Sequence, residues 1–202
     1  WSVERNPANL GFPSNCNAGA RRGTSDIIVF CNQDVLAHPQ LSDGWDSPLR
    51  HTFNTFSLCA IIGARLLFPN LSIQSAGGFF DADCQPYHRC LGYENPFAEE
   101  VSGVMPVPWV TGAFYAVRRS VWEVLGGFDP VYIGGYFEDV DFCLKAAESG
   151  YQTWYQPFTT LFHQVGSTGG NPHFMHNAQI FRQRWVDTGK VKPDVSTRRV
   201  NF

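Results

Sequence analysis

A chain of 202 residues fits one domain around one core, and 44% hydrophobic against 16% charged residues argues against long disorder. A net charge of −3 with no basic block excludes the electrostatic footprint of a nucleic-acid binder; Arg198-Arg199 is only a short basic pair near the C-terminus. No apolar run approaches the roughly 18–20 residues that span a bilayer, so at most peripheral membrane association is expected.

Taken in chain order, Ser2–Arg5 reads as the end of a strand and Asn6–Gly11 as a turn. Phe12–Arg22 reads as a helix with Pro13 tolerated in its first turn. Asp26–Cys31 (DIIVFC) has the apolar, β-branched pattern of a buried strand in a parallel sheet, and it runs into Asn32-Gln33-Asp34. Leu41–Phe53 reads as helical with a break near Pro48, and Leu58–Phe68 holds a second strand. Gln74–Pro106 has scattered Gly, Pro and Asn and reads as a long irregular segment. Pro108–Arg118 is a strand, Ser120–Leu125 a short helix closed by Gly126-Gly127, and Asp139–Ser149 a helix ended by Gly150. Tyr151–Tyr155 is a strand and Asn177–Asp187 an amphipathic helix. Strands alternate with helices, so the class is α/β.

The 17 Phe and 6 Trp suit a heavy core, with some left to stack on sugar rings. Cys31, Cys59 and Cys143 sit in apolar stretches and read as small hydrophobes. Cys84, His88 and Cys90 lack the paired spacing and fourth ligand of a zinc site. A disulfide framework is not expected, and a reducing cytoplasm is the default.

Four groups of residues carry chemistry. Asn32-Gln33-Asp34 sets a hard carboxylate at a strand end, where open α/β sheets bind ligands and where Mg2+ or Mn2+ finds oxygen; the same tripeptide also suits a plain turn. Glu138, Asp139 and Asp141 lie between aromatic residues at a helix start. Acids there are favoured by the helix dipole alone, yet partial burial would poise one as a general base. Glu138 and Asp139 are adjacent and diverge on a helix, which disfavours the paired carboxylates of a glycosidase. His163 precedes a glycine-rich stretch and reads equally as structural or functional. His173 and His176 share a helix face and read as surface or core residues.

The order of motifs is more specific than any one of them. Asn9-Leu10-Gly11-Phe12 with Asn15, Asn17 and Gly19 comes first, then Asn32-Gln33-Asp34-Val35, Gly63-Ala64-Arg65-Leu66-Leu67 and Ala76-Gly77-Gly78. Thr111-Gly112-Ala113-Phe114, Arg118-Arg119-Ser120, Gly126-Gly127-Phe128-Asp129, Phe137-Glu138-Asp139-Val140-Asp141 and His163 follow. From about Val3 to Ser167 this resembles the family 2 glycosyltransferases, in particular the rhamnosyltransferase-like branch with a GT-A fold.

The resemblance implies a mostly parallel central sheet flanked by helices, in one domain. Residues 1–35 would be the remainder of the nucleotide-sugar side, 36–170 the acceptor and catalytic side, and 171–202 a C-terminal helix and tail. It implies Asp34 as the metal-binding acid of a DxD-like motif, with Asn32 replacing the first acid, and His163 as a further metal or diphosphate ligand. It implies Asp139 as catalytic base and Glu138 as its acidic neighbour. Thr111, Gly112 and Ala113 would line the sugar and acceptor pocket; Asn9, Gly11 and Asn17 would border the nucleotide sugar. The implied activity is inverting transfer of a sugar, such as rhamnose, from a dTDP- or UDP-sugar to a glycan or lipid-linked acceptor, with Mg2+ or Mn2+. It would take place in the cytoplasm or at the inner face of the membrane, with closure of a loop such as Gly166–Pro172 excluding water.

One departure stands out. The family opens with a βαβ segment that supplies much of the nucleotide pocket, and this sequence begins just before Asn9. An exposed sheet edge, and a homodimer formed through it, is therefore expected. The same departure supports an alternative: a non-catalytic carbohydrate-binding or assembly module, or an inactive fragment, of the same fold.

Overall fold

The computed structural model describes residues 3, 5–37, 40–164 and 170–194. Ser2 and Glu4 of the expected Ser2–Arg5 strand lie outside them, and Val3 and Arg5 are in no strand; much of the expected Gly166–Pro172 loop lies outside too, as does Arg198-Arg199. Helix α1 (Phe12–Ala20) carries Pro13 in its first turn. It is followed by β1 (Ile27–Cys31), β2 (Val35–Leu36), α2 (Asp46–Thr55) and β3 (Cys59–Leu67). Pro48 does not break α2; it sits in the first turn, where its missing N–H has no partner to lose.

The segment read as irregular contains short strands, β4 (Ile73–Ser75), β5 (Gly78–Phe80), β6 (Pro86–His88) and β7 (Met105–Pro106), with a 3-10 turn at Glu99–Val101. Strands of two or three residues are too short to show a period. Buried Arg65 pins the 3-10 turn to the sheet, donating to the Val101 carbonyl (3.1 Å) and the Tyr155 hydroxyl (3.3 Å). Then come β8 (Phe114–Arg118), α3 (Arg119–Leu125), α4 (Glu138–Glu148), β9 (Gln152–His163), α5 (Phe174–Phe181) and a π-helical turn at Arg182–Val186. Gly126 closes α3 in the left-handed region.

The main sheet runs β1-β8-β3-β9-β2, with β4 added to β3 and β7 to β9. Strand β8 is antiparallel to both β1 and β3, so β1, β3 and β9 share one direction. Among the described strands the parallel ladder is β3–β9. A parallel return needs a helical crossover, and no α-helix lies between β3 and β8, so the chain doubles back there. Strand β9 outruns the predicted Tyr151–Tyr155 by eight residues because a bulge absorbs Pro157: Ala64 pairs with Gln156, and Arg65 with Thr160.

Strand β1 is not buried on both faces. Ile28 and Phe30 point inward while Val29 and Cys31 are exposed, and its described ladder is to β8 on one side only. Cys31 is thus a surface thiol rather than a core residue. Strand β3 is buried along its whole length and feeds cores on both faces. The larger core is aromatic. Phe30, Phe128 and Phe142 pack on Trp122 with ring centroids 4.7, 4.8 and 4.9 Å away. Most of the aromatic excess is spent there.

Asp141 separates from its acidic neighbours. Fully buried, its Oδ1 accepts from the Tyr132 hydroxyl (2.9 Å), Arg184 Nη1 (2.8 Å) and Trp185 Nε1 (2.8 Å), and Lys145 Nζ lies 2.7 Å from Oδ2. This network ties the C-terminal helical turn to α4. Breaking such a pair from one side leaves a buried charge and costs about 3–5 kcal/mol.

Candidate active site

An open cleft of about 2090 Å³ crosses the C-terminal ends of β1 and β9 and the N-terminal end of α4. Asn9, Gly11, Asn32, Asp34, Thr111, Gly112, Ala113, Glu138, Asp139 and His163 all line it. Asn17 does not. Its side chain accepts from the Phe128 N–H (3.0 Å) and donates to the Phe128 carbonyl (2.7 Å), so it clamps α1 to the turn after α3.

Sheet register brings Asp34 to His163. Val35 pairs with His163 across the β2–β9 ladder, and the Gln164 N–H donates to the Asp34 carbonyl at 3.0 Å. The side chains then meet, His163 Nε2 to Asp34 Oδ1, at 3.2 Å. Gln74, on β4, fixes the imidazole. Its Nε2 donates to the His163 carbonyl (3.3 Å), which turns Oε1 toward His163 Nδ1 at 2.6 Å. Nδ1 is therefore the nitrogen that donates to Gln74, and Nε2 is the one turned toward Asp34. That donor set fits a divalent cation that completes its shell with phosphate and water oxygens. No cluster of three or more His, Cys, Asp or Glu able to hold a metal occurs among the described residues.

The second centre is the start of α4. The Gly112 N–H donates to Asp139 Oδ2 (2.7 Å) and the Val140 N–H to Oδ1 (2.8 Å). Gly112 is closely packed: a Cβ there would meet the Phe12 ring at 3.1 Å, so the ring would have to give by a few tenths of an ångström. The Thr111 hydroxyl accepts from the Ala113 N–H (3.3 Å), and the Ala113 carbonyl accepts from the Asn32 N–H (2.9 Å). The loop before β8 thus links the two centres. Burial lifts the Asp139 carboxyl above its usual range, and the Gly112 and Val140 donors pull against that lift. Glu138 is 4% exposed and is raised much further, by burial and by the Asp139 charge. Its Oε2 has no hydrogen-bond partner among the described residues. Glu138 therefore keeps its proton to higher pH than Asp139, which assigns different work to two adjacent acids.

A left-handed loop precedes the pair. Gly134 (φ 77°), Gly135 (127°), Tyr136 (70°) and Phe137 (74°) are consecutive. Each non-glycine residue held so costs about 1–3 kcal/mol and persists only where neighbours enforce it. Two asparagines do so. Asn171 Nδ2 donates to the Ile133 and Gly135 carbonyls (both 2.8 Å). Buried Asn177 donates to the same carbonyls (3.0 and 2.6 Å) and accepts from the Ile133 N–H (3.1 Å). On the far side Gly11, at φ 76° with the Asn9 side chain accepting its N–H (2.9 Å), packs so that a Cβ would meet Gly134 at 3.0 Å.

Sequence reasoning missed Gln74, Tyr136, Asn171 and Phe174, all of which line the cleft, and Asn177 behind them; it weighed His88, which also lines the cleft, only as a zinc ligand with Cys84 and Cys90. His88 touches the Ser75 hydroxyl through Nδ1 (3.1 Å) and lies tilted against the Trp109 ring, centroids 5.0 Å apart; burial, then the nearness of His163, lowers its pKa to about 4. Only Gln74 had a signal, lying two residues before the Ala76-Gly77-Gly78 motif. His173 and His176 are exposed, as surface residues.

The chain has the GT-A glycosyltransferase fold. It superposes on GalNAc-T7, solved with UDP, GalNAc and Mn2+, with a TM-score of 0.71 and 16% identity, covering 94% of this chain and 38% of that one. It also superposes on the mannosyltransferase PcManGT from Pyrobaculum calidifontis, solved with GDP-Man and Mn2+ (TM-score 0.53, 16% identity, 90% of this chain and 44% of that one). In sequence it is 23% identical over 193 residues to the uncharacterized protein y4gI of Sinorhizobium fredii, covering 91% of this chain. It is 40% identical over 68 residues, a third of the chain, to the N-acetylglucosaminyl-diphospho-decaprenol L-rhamnosyltransferase of Mycobacterium tuberculosis. It is 27% identical over 136 residues to the mouse inactive polypeptide N-acetylgalactosaminyltransferase-like protein 5, covering 62% of this chain. The chain spans only 21%, 22% and 30% of these three relatives. No family model matches it.

Proposed function

We propose that this chain is the metal-binding and catalytic part of a family 2-like glycosyltransferase that moves a sugar from a nucleoside-diphosphate donor to an acceptor hydroxyl with inversion. The observation that carries the reading is that the Asp34–His163 pair and Asp139 open into one cleft. Asp34 and His163 would hold the cation, Mn2+ in preference to Mg2+ because one of its ligands is an imidazole. When bound, the cation neutralises charge on the diphosphate leaving group. Asn32 and Gly11 border the donor side, and Thr111, Gly112 and Ala113 form the wall between donor and acceptor.

Asp139 accepts the acceptor hydroxyl's proton, poised by burial and oriented by the Gly112 and Val140 N–H groups. Glu138, holding its proton, leaves Asp139 as the single base; one base and one displacement give inversion. Transfer of rhamnose to a lipid-linked glycan at the inner, cytoplasmic face of a membrane belongs to the same proposal, as does a homodimer through the outer edge of β1. The mouse relative described as inactive keeps a second reading in view, a module of this fold that binds carbohydrate without turnover.

Calorimetric titration of UDP-, dTDP- and GDP-sugars with and without Mn2+ tests the donor assignment. Wild type is expected to bind at least one donor only with Mn2+, and Asp34→Ala to lose that binding. Binding that ignores Mn2+, or that Asp34→Ala leaves intact, overturns it.

A further inference from the structure

Tyr136 and Phe174 form an aromatic ledge on the cleft wall. They are 50% and 44% exposed, in edge-to-face contact with centroids 5.5 Å apart, and Phe137 backs Phe174 from the core side at 5.4 Å. The edge-to-face contact offsets only part of what the arrangement costs in backbone strain and exposed aromatic surface. Tyr136 sits in the left-handed region, which a bulky side chain avoids, and its ring is turned toward solvent rather than into the core a few residues away. Buried Asn177 and Asn171 nevertheless spend their amide groups on holding the loop that way.

We propose that this ledge is the acceptor subsite and that its occupant is a pyranose ring lying with its C–H face on Tyr136. The proposal rests on the glycosyltransferase reading and names the acceptor side of the same cleft. Three observations support a sugar. Tyr136 precedes Asp139 by three residues, a chain span of at most about 11 Å, and both line the cleft, so the ledge and the base are close neighbours on one wall. Asn171, bonded to the Gly135 carbonyl, and His173, next to Phe174, add polar groups beside the ledge in the cleft wall, which suits a ring with polar edges better than an acyl chain. Glu138 adds a buried carboxyl oxygen that no described residue satisfies, and a hydroxyl is the group to fill that need.

Saturation-transfer NMR on the 202-residue chain, with a panel of methyl pyranosides and with octyl glucoside, tests this without any nucleotide. At least one methyl pyranoside is expected to receive saturation on its ring C–H protons. Tyr136→Phe should keep that signal. Tyr136→Ala should weaken affinity roughly tenfold, about 1.4 kcal/mol, while its Mn2+ affinity, read separately, stays at the wild-type value and reports an intact fold. Three results overturn the proposal: no ring saturation from any pyranoside, equal signals from wild type and Tyr136→Ala, or saturation of the octyl chain alone, which would mark a lipid surface. Failure here with Mn2+-dependent donor binding intact removes the subsite and leaves the transferase reading. Ring binding with no metal-dependent donor binding removes the transferase reading and keeps a carbohydrate-binding cleft.

Discussion

Glu138 and Asp139 are neighbours in sequence with unlike surroundings. Asp139 receives two backbone N–H groups; Glu138 receives none at Oε2 and is more deeply buried. For an acid whose folded pKa is raised, the stabilising contribution is fully present below its unfolded value and is lost as pH rises through the folded one. For Glu138 the loss begins near its ordinary 4.5 and continues upward. Glu138→Gln should therefore melt higher than wild type at pH 8, with the difference shrinking toward pH 4.5; melting curves that run parallel across that range would contradict it. Gln74 acts on the other centre. Gln74→Leu frees the His163 tautomer and should weaken Mn2+ binding about 10–100-fold, measured by calorimetry, with little change in melting temperature. The acids were legible because they sit inside ordered motifs. Asn177 was not, because it acts through a loop 42–44 residues away, and the motif beside Gln74 did not disclose its role, because its partner His163 is 89 residues on.

At the scale of elements, the long strands and helices could be read because a run such as Cys59–Leu67 is apolar but for Arg65. The stretch from Gln74 to Pro106 could not, since pairs and triplets of strand residues are set by tertiary partners. Its glycines nonetheless have a visible cause. A Cβ on Gly78 would lie 2.1 Å from the Trp109 ring, whose Nε1 donates to the Phe79 carbonyl at 3.0 Å. Gly78→Ala must displace a buried indole beside the cleft, so a loss of about 1–3 kcal/mol is expected in urea unfolding; a neutral effect would show that the Trp109 contact yields freely. Strand β1 illustrates the opposite error. Its apolar run reads as doubly buried, yet only alternate residues are covered, because only the face carrying Ile28 and Phe30 packs on the core.

For the molecule as a whole, the α/β class follows from the alternation of elements and the GT-A fold from the order of motifs; the superposition bears the fold out, while in the sheet β1, β3 and β9 share one direction and β8, β2, β4 and β7 run against their neighbours. The two candidate centres lie at the ends of different elements, and the loop from Trp109 to Ala113 joins them through backbone hydrogen bonds. The central claim is that Asp139 does the proton transfer in a cleft whose donor binding depends on the other centre. Its most direct test is turnover: release of nucleoside diphosphate from a Mn2+-bound sugar nucleotide, with acceptor, by wild type and Asp139→Asn. The account predicts donor affinity within about twofold of wild type and turnover lower by about 10²–10⁴-fold. Turnover near the wild-type rate in Asp139→Asn would contradict it.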